Sequence, residues 1–148
     1  MRLTVDASVL IAELLRVAGR ERLAHPALDV FVPEQTHNEL RHELPRRISA
    51  FCGRHGLDRD DAAQLSSLCL AAVDANVAIV DAAVLAPLED EARARALRDP
   101  DDWPLVACAL ALDADIWTQD NDLLGTGIAT WTTQSLTLWL RRHPPAER

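Results

Sequence analysis

Short runs of apolar residues alternate along the chain with longer segments in which apolar residues recur at helical spacing. The short runs cover residues 2–5, 29–32, 77–80, 115–118 and 128–131, and each predicts a strand. Strands that are continuously apolar and alternate with helices are typical of a parallel sheet covered on both faces. We therefore predict an α/β fold over residues 1–148, a single-domain three-layer α/β/α sandwich with a central, mostly parallel sheet.

The longer segments predict helices, several of which have recognisable end signals. Gly19 is expected to end the first helix, and Gly56 to end a later one. Pro45 either interrupts the helix that begins at Glu34 or starts the next one. Asp58 is a suitable N-cap for the helix after it. Besides the helix from residue 34, the predicted helices cover residues 8–17, 46–55, 59–74, 88–97, 103–112 and 133–142.

The chain carries a formal net charge of −8, and all 15 of its basic residues are arginine. This charge argues against a protein that coats nucleic acid, but it allows an enzyme that meets phosphates at one place. Without lysine, a P-loop and a lysine Schiff base are excluded. Phosphate contacts are left to arginine. Arg41, Arg46 and Arg47 form a basic cluster that is either a substrate-binding surface or a solvated helix face.

Neither the hydrophobic runs nor the cysteines suggest a membrane or extracellular protein. No apolar run reaches the roughly 18 residues that a membrane span needs, and the first residues do not form a signal peptide. Cys52, Cys69 and Cys108 are far apart, which predicts buried thiols in a reducing cytoplasm. A zinc site is disfavoured, because His37 and His42 are five residues apart and do not share a helix face cleanly.

Acidic residues fall where the predicted strands end. Asp6 follows the first strand, and Asp120 and Asp122 follow the fourth. Asp102 precedes the helix that leads into the fourth strand, and Glu39 lies on the helix after the second. In a doubly wound sheet these positions converge on one edge, where ligands bind. Carboxylates so close together repel one another unless a cation neutralises them, and hard oxygen ligands select Mg²⁺ or Mn²⁺.

Simpler interpretations compete at individual positions. Asp6 and Asp102 could each act only as a helix N-cap. Asp101 is an alternative to Asp102 as a ligand, and Glu43, one helical turn from Glu39, is an alternative to that residue. The order and spacing of the acids together favour the shared metal site over these separate explanations.

Several segments together resemble the PIN-domain nuclease family over nearly the whole chain. These segments are VDASVL at residues 5–10, Pro33 with the helix that carries Glu39, Asp102 ahead of VACAL, and ADIWTQDND at residues 114–122. The combination of the first and last segments is the more specific feature. By this resemblance we expect a PIN-like fold and nuclease activity.

The resemblance also implies roles for individual residues. It places Asp6, Glu39, Asp102 and Asp120 in the catalytic pocket, with Asp122 as a further acid at the metal. Ser8 and Thr118 match the small hydroxyl residues that support the first and last aspartates. The family further implies Mg²⁺ or Mn²⁺ as cofactor, RNA as substrate and a homodimer. Many members are toxins of the VapC type that are held by an antitoxin protein.

Other functions remain as alternatives. The chain could be a ribonuclease that processes RNA without an antitoxin. It could also be a non-catalytic module that keeps the fold and binds RNA or regulates a partner, although the complete set of acids argues against this. A receiver-type phosphoacceptor domain would use Asp81 at the end of the third strand, but that fold normally requires a lysine, which this chain lacks.

Overall fold

A computed structural model describes residues 1–145. Its centre is a parallel sheet of five strands in the order β3-β2-β1-β4-β5. The strands are β1 Arg2–Val5, β2 Asp29–Pro33, β3 Val77–Val80, β4 Asp115–Trp117 and β5 Thr130–Trp131. The predicted α/β fold is confirmed, and each predicted strand is present with its end shifted by at most two residues.

Helices cover both faces of the sheet. They are α1 Ala7–Leu14, α2 Val17–Leu23, α3 Glu34–His55, α4 Arg59–Asn76, α5 Ala82–Leu85, α6 Glu89–Arg95, α7 Trp103–Leu112 and α8 Thr133–Arg141. One hydrophobic cluster joins β1 and β2 to α1, α2, α3, α4 and α8. A second joins the opposite face of the sheet to α5, α6 and α7. These two clusters make the three layers of the sandwich. No helix within residues 1–145 is long and apolar enough to cross a membrane.

The prediction that Gly19 ends the first helix was wrong. Helix α1 ends at Leu14, and Gly19 lies buried inside the separate helix α2. A Cβ atom on Gly19 would lie 2.1 Å from the carbonyl oxygen of Glu13. Glycine is therefore required here because two helices approach closely, and not because the backbone must turn.

Helix α3 also differs from the prediction, because it runs through Pro45 without a break. A proline inside a helix costs about 3 kcal/mol. Buried residues continue on both sides of it at a spacing of four, at Leu40, Leu44, Ile48 and Cys52. The burial of this continuous apolar face offsets the cost of the proline. The helix ends at Gly56 as predicted, with a left-handed φ of 64°.

The strand order places a topological switch point between β1 and β4. The chain runs outward from β1 to β2 and β3, then crosses back to β4 on the other side of β1 and continues to β5. In open parallel sheets, the crevice at such a point opens beyond the carboxyl ends of the strands. Asp6 directly follows β1, and the loop after β4 begins with Thr118. The fold therefore brings the first and last acidic segments of the chain together.

Candidate active site

Carboxylates line a cavity of about 200 Å³ at the carboxyl ends of β1, β2 and β4. We call this the carboxylate cavity. Its acidic residues are Asp6, Glu39, Asp101, Asp102 and Asp120. No arginine or histidine of residues 1–145 lines it. The four acids predicted for the catalytic pocket therefore share one cavity that has no neutralising cation from the protein.

The Asp6 side chain is held by three hydrogen bonds. Its Oδ1 atom accepts from the backbone N–H of Val9 at 2.8 Å, which caps helix α1, and from the Ser8 hydroxyl at 2.9 Å. Its Oδ2 atom accepts from the Thr118 hydroxyl. Asp6 thus caps helix α1 and also lines the cavity. The interpretation of this residue as an N-cap is therefore compatible with its place in the acidic site.

Thr118 connects the first strand to the loop that carries Asp120. Its hydroxyl donates to Asp6 and accepts from the backbone N–H of Asp120 at 2.9 Å. The Asp120 Oδ1 atom in turn accepts from the N–H of Asp122 at 2.8 Å. Thr118 is almost fully buried, with 3% of its surface exposed. The buried hydroxyl therefore fixes the position of both aspartates relative to each other.

Asp102 occupies the N-cap position of α7 but makes no capping hydrogen bond with its side chain. Pro104 stands in the first turn of that helix, where it needs no N–H partner. The carboxylate instead lines the cavity. Burial is the largest cause that raises the pKa of Asp102, and together with the charges of Asp99, Asp120, Asp6 and Asp122 it raises that pKa to about 6.

The structure distinguishes Asp102 from its neighbour Asp101. Both line the cavity, but the Asp101 side chain is 95% exposed and lies 3.8 Å from the Arg93 guanidinium. Asp102 is half-buried among other carboxylates and has no basic partner among residues 1–145. A cation in the cavity would therefore relieve more repulsion at Asp102 than at Asp101.

The structure also distinguishes Glu39 from the acids beside it. Glu39 lines the carboxylate cavity, whereas Glu43 does not and lies 3.6 Å from the Arg46 guanidinium. Glu34 accepts from the N–H of Ala82 at 3.2 Å. Glu39 is therefore the acid of α3 that faces the other carboxylates.

The remaining predicted site residues lie outside the cavity. Asp122 is exposed and lies 3.9 Å from the Arg98 guanidinium, although its charge still acts on Asp102. The basic cluster of α3 is exposed on the helix surface, and none of its members lines the cavity. Asp81 caps α5 by accepting from the N–H of Ala83 at 2.7 Å, and it does not reach the cavity either.

Two polar residues of the cavity were missed by the sequence reasoning. Gln35 and Thr36 line it from the first turn of α3. They precede Glu39 by four and three residues, the spacing that places side chains on one face of a helix. Counting back from Glu39 by one helical turn would have found both.

The residues of the cavity suit a hard divalent cation by their chemistry. Carboxylate oxygens are the ligands that Mg²⁺ and Mn²⁺ prefer, and the cavity brings several of them together with no basic residue from the described part of the chain. In the described part of the chain, no three His, Cys, Asp or Glu side chains form a group that could already hold a metal ion. The donor set fits the cation, while the ligand arrangement around an ion is not preformed.

Comparisons with known proteins agree with the fold. A family model described as a PIN domain matches residues 4–141. A crystal structure of PAE2754 from Pyrobaculum aerophilum is similar to this chain, with a TM-score of 0.64 and 21% sequence identity. The alignment covers 96% of this chain and 90% of that one. No curated protein matches the sequence.

Proposed function

This chain belongs to the PIN domain family, whose members are usually nucleases, and we propose that it is a divalent-metal-dependent endoribonuclease. The observation that carries the proposal is the carboxylate cavity. Asp6, Glu39, Asp102 and Asp120 come from four separate segments and line one cavity to which no basic residue of residues 1–145 contributes. Acids gathered in this way destabilise one another unless they serve to bind a cation.

We propose that Asp6, Asp102 and Asp120 hold Mg²⁺ or Mn²⁺, with Asp122 supporting from outside the cavity and Glu39 completing the acidic wall. When bound, such an ion supplies an activated water and offsets the charge that develops on the phosphate. Thr118 and Ser8 keep the Asp6 oxygens in place through their hydrogen bonds. Such supporting hydrogen bonds fix the direction in which a ligand points.

Arginine is the residue type that we propose binds the phosphates of RNA. We propose that Arg41, Arg46 and Arg47, exposed along α3 beyond Glu39, contact phosphates distant from the cleaved bond. Arg46 pairs weakly with Glu43 at 3.6 Å on the exposed surface, an interaction that a phosphate can replace at little cost.

The proposed activity is tested by cleavage of single-stranded RNA in Mn²⁺, with EDTA as the metal-free condition. We expect EDTA to abolish cleavage and Asp6→Asn to reduce it by more than the ~10–100-fold typical of residues that only support ligands. Asp81→Asn is the matched control, because Asp81 also follows a strand and caps a helix but does not line the cavity. Cleavage that persists in EDTA, or an Asp6→Asn variant as active as Asp81→Asn, would refute the proposal.

Calorimetry with Mn²⁺ distinguishes the proposed enzyme from a non-catalytic binding module. The enzyme is expected to bind Mn²⁺ with heat that Asp6→Asn removes. A protein that binds RNA but neither binds Mn²⁺ nor cleaves would instead be such a module.

We further propose that the enzyme is the toxin of a toxin–antitoxin pair, active in the cytoplasm as a homodimer. The support is the resemblance to PIN-domain toxins. Induced expression is expected to arrest bacterial growth, and Asp6→Asn is expected to relieve the arrest. Normal growth with the active protein expressed would favour an RNA-processing nuclease without an antitoxin.

A further inference from the structure

A second cavity of about 420 Å³ adjoins the carboxylate cavity. We call it the Arg16 groove, and it is lined by Ser8, Arg16, Gln119 and Gln134 among others. Ser8 lines both cavities. Gln119 lines the groove, while its chain neighbour Asp120 lines the carboxylate cavity. An extended ligand bound at the carboxylates therefore has a direct path over Ser8 into the groove.

The groove differs from the carboxylate cavity in its charge. Arg16 is exposed between α1 and α2, and its side chain makes no hydrogen bond or ion pair with any of residues 1–145. The one acid that lines the groove, Glu13, is 2% exposed and is paired with Arg22. Within residues 1–145, the groove thus presents the uncompensated guanidinium of Arg16 beside a cavity whose charged lining residues are all acidic.

The groove also offers amide groups that have no partner. The side chains of Gln119 and Gln134 are exposed and make no hydrogen bond within the described residues. Each carries two donors and one acceptor oxygen, which suits ribose hydroxyls and base edges. A guanidinium matches the geometry of a phosphate bidentately. The three side chains together complement a nucleotide and not an apolar ligand.

We infer that the Arg16 groove binds the single-stranded RNA backbone next to the cleaved phosphodiester bond. Arg16 contacts a flanking phosphate, and Gln119 and Gln134 contact the sugar or base of that nucleotide. The charge distribution favours such a contact, because the carboxylates repel every phosphate beside the one at which a metal acts. This inference rests on the proposed ribonuclease function and adds the path of the substrate to it.

Arg16→Gln tests the inference, because it removes the charge and retains a polar, exposed side chain. Arg54→Gln is the matched control, since Arg54 is exposed and lies 15 residues beyond Glu39 on the same helix, about 22 Å along its axis. Arg16→Lys keeps the charge without the bidentate geometry. Binding of a short fluorescein-labelled single-stranded RNA is measured by anisotropy in EDTA, where metal-dependent cleavage cannot occur, over a series of salt concentrations.

We expect Arg16→Gln to weaken RNA binding about tenfold at low salt and Arg16→Lys to recover part of the loss. The slope of log affinity against log salt is expected to become shallower by about 0.7, the value for one phosphate contact on a single strand. Arg54→Gln is expected to leave affinity and slope unchanged. Equal affinities and slopes for the Arg16→Gln and Arg54→Gln variants would overturn the inference, as would an absence of RNA binding to the unaltered protein at low salt.

Cleavage kinetics in Mn²⁺ test this inference independently of the proposed nuclease function. For an active enzyme, Arg16→Gln is expected to raise KM more than it lowers kcat, because the contact is made in the bound substrate as well as during the reaction. An active enzyme whose KM does not change would overturn the groove assignment and leave the nuclease function standing. RNA binding that depends on Arg16 in a protein without cleavage would support the groove and refute the nuclease function.

Discussion

Asp102→Asn is expected to make the metal-free protein more stable above pH 6. The substitution replaces a charged side chain by a neutral one of nearly the same shape. In the folded protein, Asp102 is half-buried and faces the charges of Asp99, Asp120 and Asp6. Burial first, and the neighbouring charges second, disfavour the ionised form, so the variant removes a desolvation cost and a repulsion that the folded state must otherwise tolerate.

The pKa of Asp102 determines both the size and the pH range of this effect. A rise from its ordinary value of 3.8 to about 6 corresponds to at most about 3 kcal/mol, at ~1.4 kcal/mol per pKa unit. Because the side chain is only partly buried, solvent screening reduces this to about 1 kcal/mol. The folded state binds the proton more tightly than the unfolded state does. The loss of folding stability caused by ionised Asp102 is therefore absent below pH 3.8, grows as the pH rises, and is complete above about pH 6.

Urea unfolding in EDTA at several pH values between 4 and 8 measures the effect, because metal-free protein is required. We expect Asp102→Asn and the unaltered protein to be equally stable near pH 4 and to differ by about 1 kcal/mol near pH 8, or about 3 °C in Tm. Asp101→Asn is the control, since Asp101 is exposed and lies near Arg93. In Mn²⁺ we expect the unaltered protein to be more stable than Asp102→Asn, because only the unaltered protein retains the full set of ligands.

Two results would refute this reasoning. If Asp102→Asn were no more stable than Asp101→Asn at pH 8 in EDTA, burial and the neighbouring carboxylates would not disfavour the charge of Asp102 in the folded state. If the stability difference did not depend on pH, the effect would come from packing or helix capping and not from the charge of Asp102.

Two further predictions concern the support of the site and the packing of the helices. Thr118→Val removes the hydroxyl that holds Asp6, and calorimetry is expected to show Mn²⁺ affinity reduced about 10–100-fold, with Thr118→Ser close to the unaltered protein; equal affinities for the Val and Ser variants would contradict this. Gly19→Ala places a methyl group against the Glu13 backbone, and urea unfolding is expected to show a loss of about 1–3 kcal/mol. Gly53→Ala, which meets open space in a helix, is expected to gain up to about 1 kcal/mol, and a similar result for both glycines would contradict the packing argument.

The sequence by itself was enough to predict the layers of the fold and two firm positions of the site. The apolar runs predicted the strands, and β1 and β4 are largely buried because helices cover both faces of the sheet, whereas β3 lies at the edge and leaves Ile79 exposed. The positions of Asp6 and Asp120 in the site could be predicted because Asp6 directly follows β1 and Asp120 lies in the loop that follows β4. The N-cap at Asp58 was also visible, since its capping box with Asp61 involves residues only three apart.

Only the tertiary structure distinguished the neighbouring acids from one another. Asp101 and Asp102 are adjacent, and Glu39 and Glu43 share a helix face, so no local signal separates the members of either pair. In the folded protein, Asp101 lines the cavity but is exposed and lies near Arg93, whereas Glu43 lies outside the cavity near Arg46.

The remaining features depend on contacts between segments that are distant along the chain or on separate helices. The passage of α3 through Pro45 depends on the face that this helix buries against the rest of the core, and the role of Gly19 depends on its contact with α1. The Arg16 groove joins a residue between α1 and α2 to Gln119 and Gln134. Local sequence patterns record what one segment favours by itself, whereas such a site exists only once the sheet has brought its segments together.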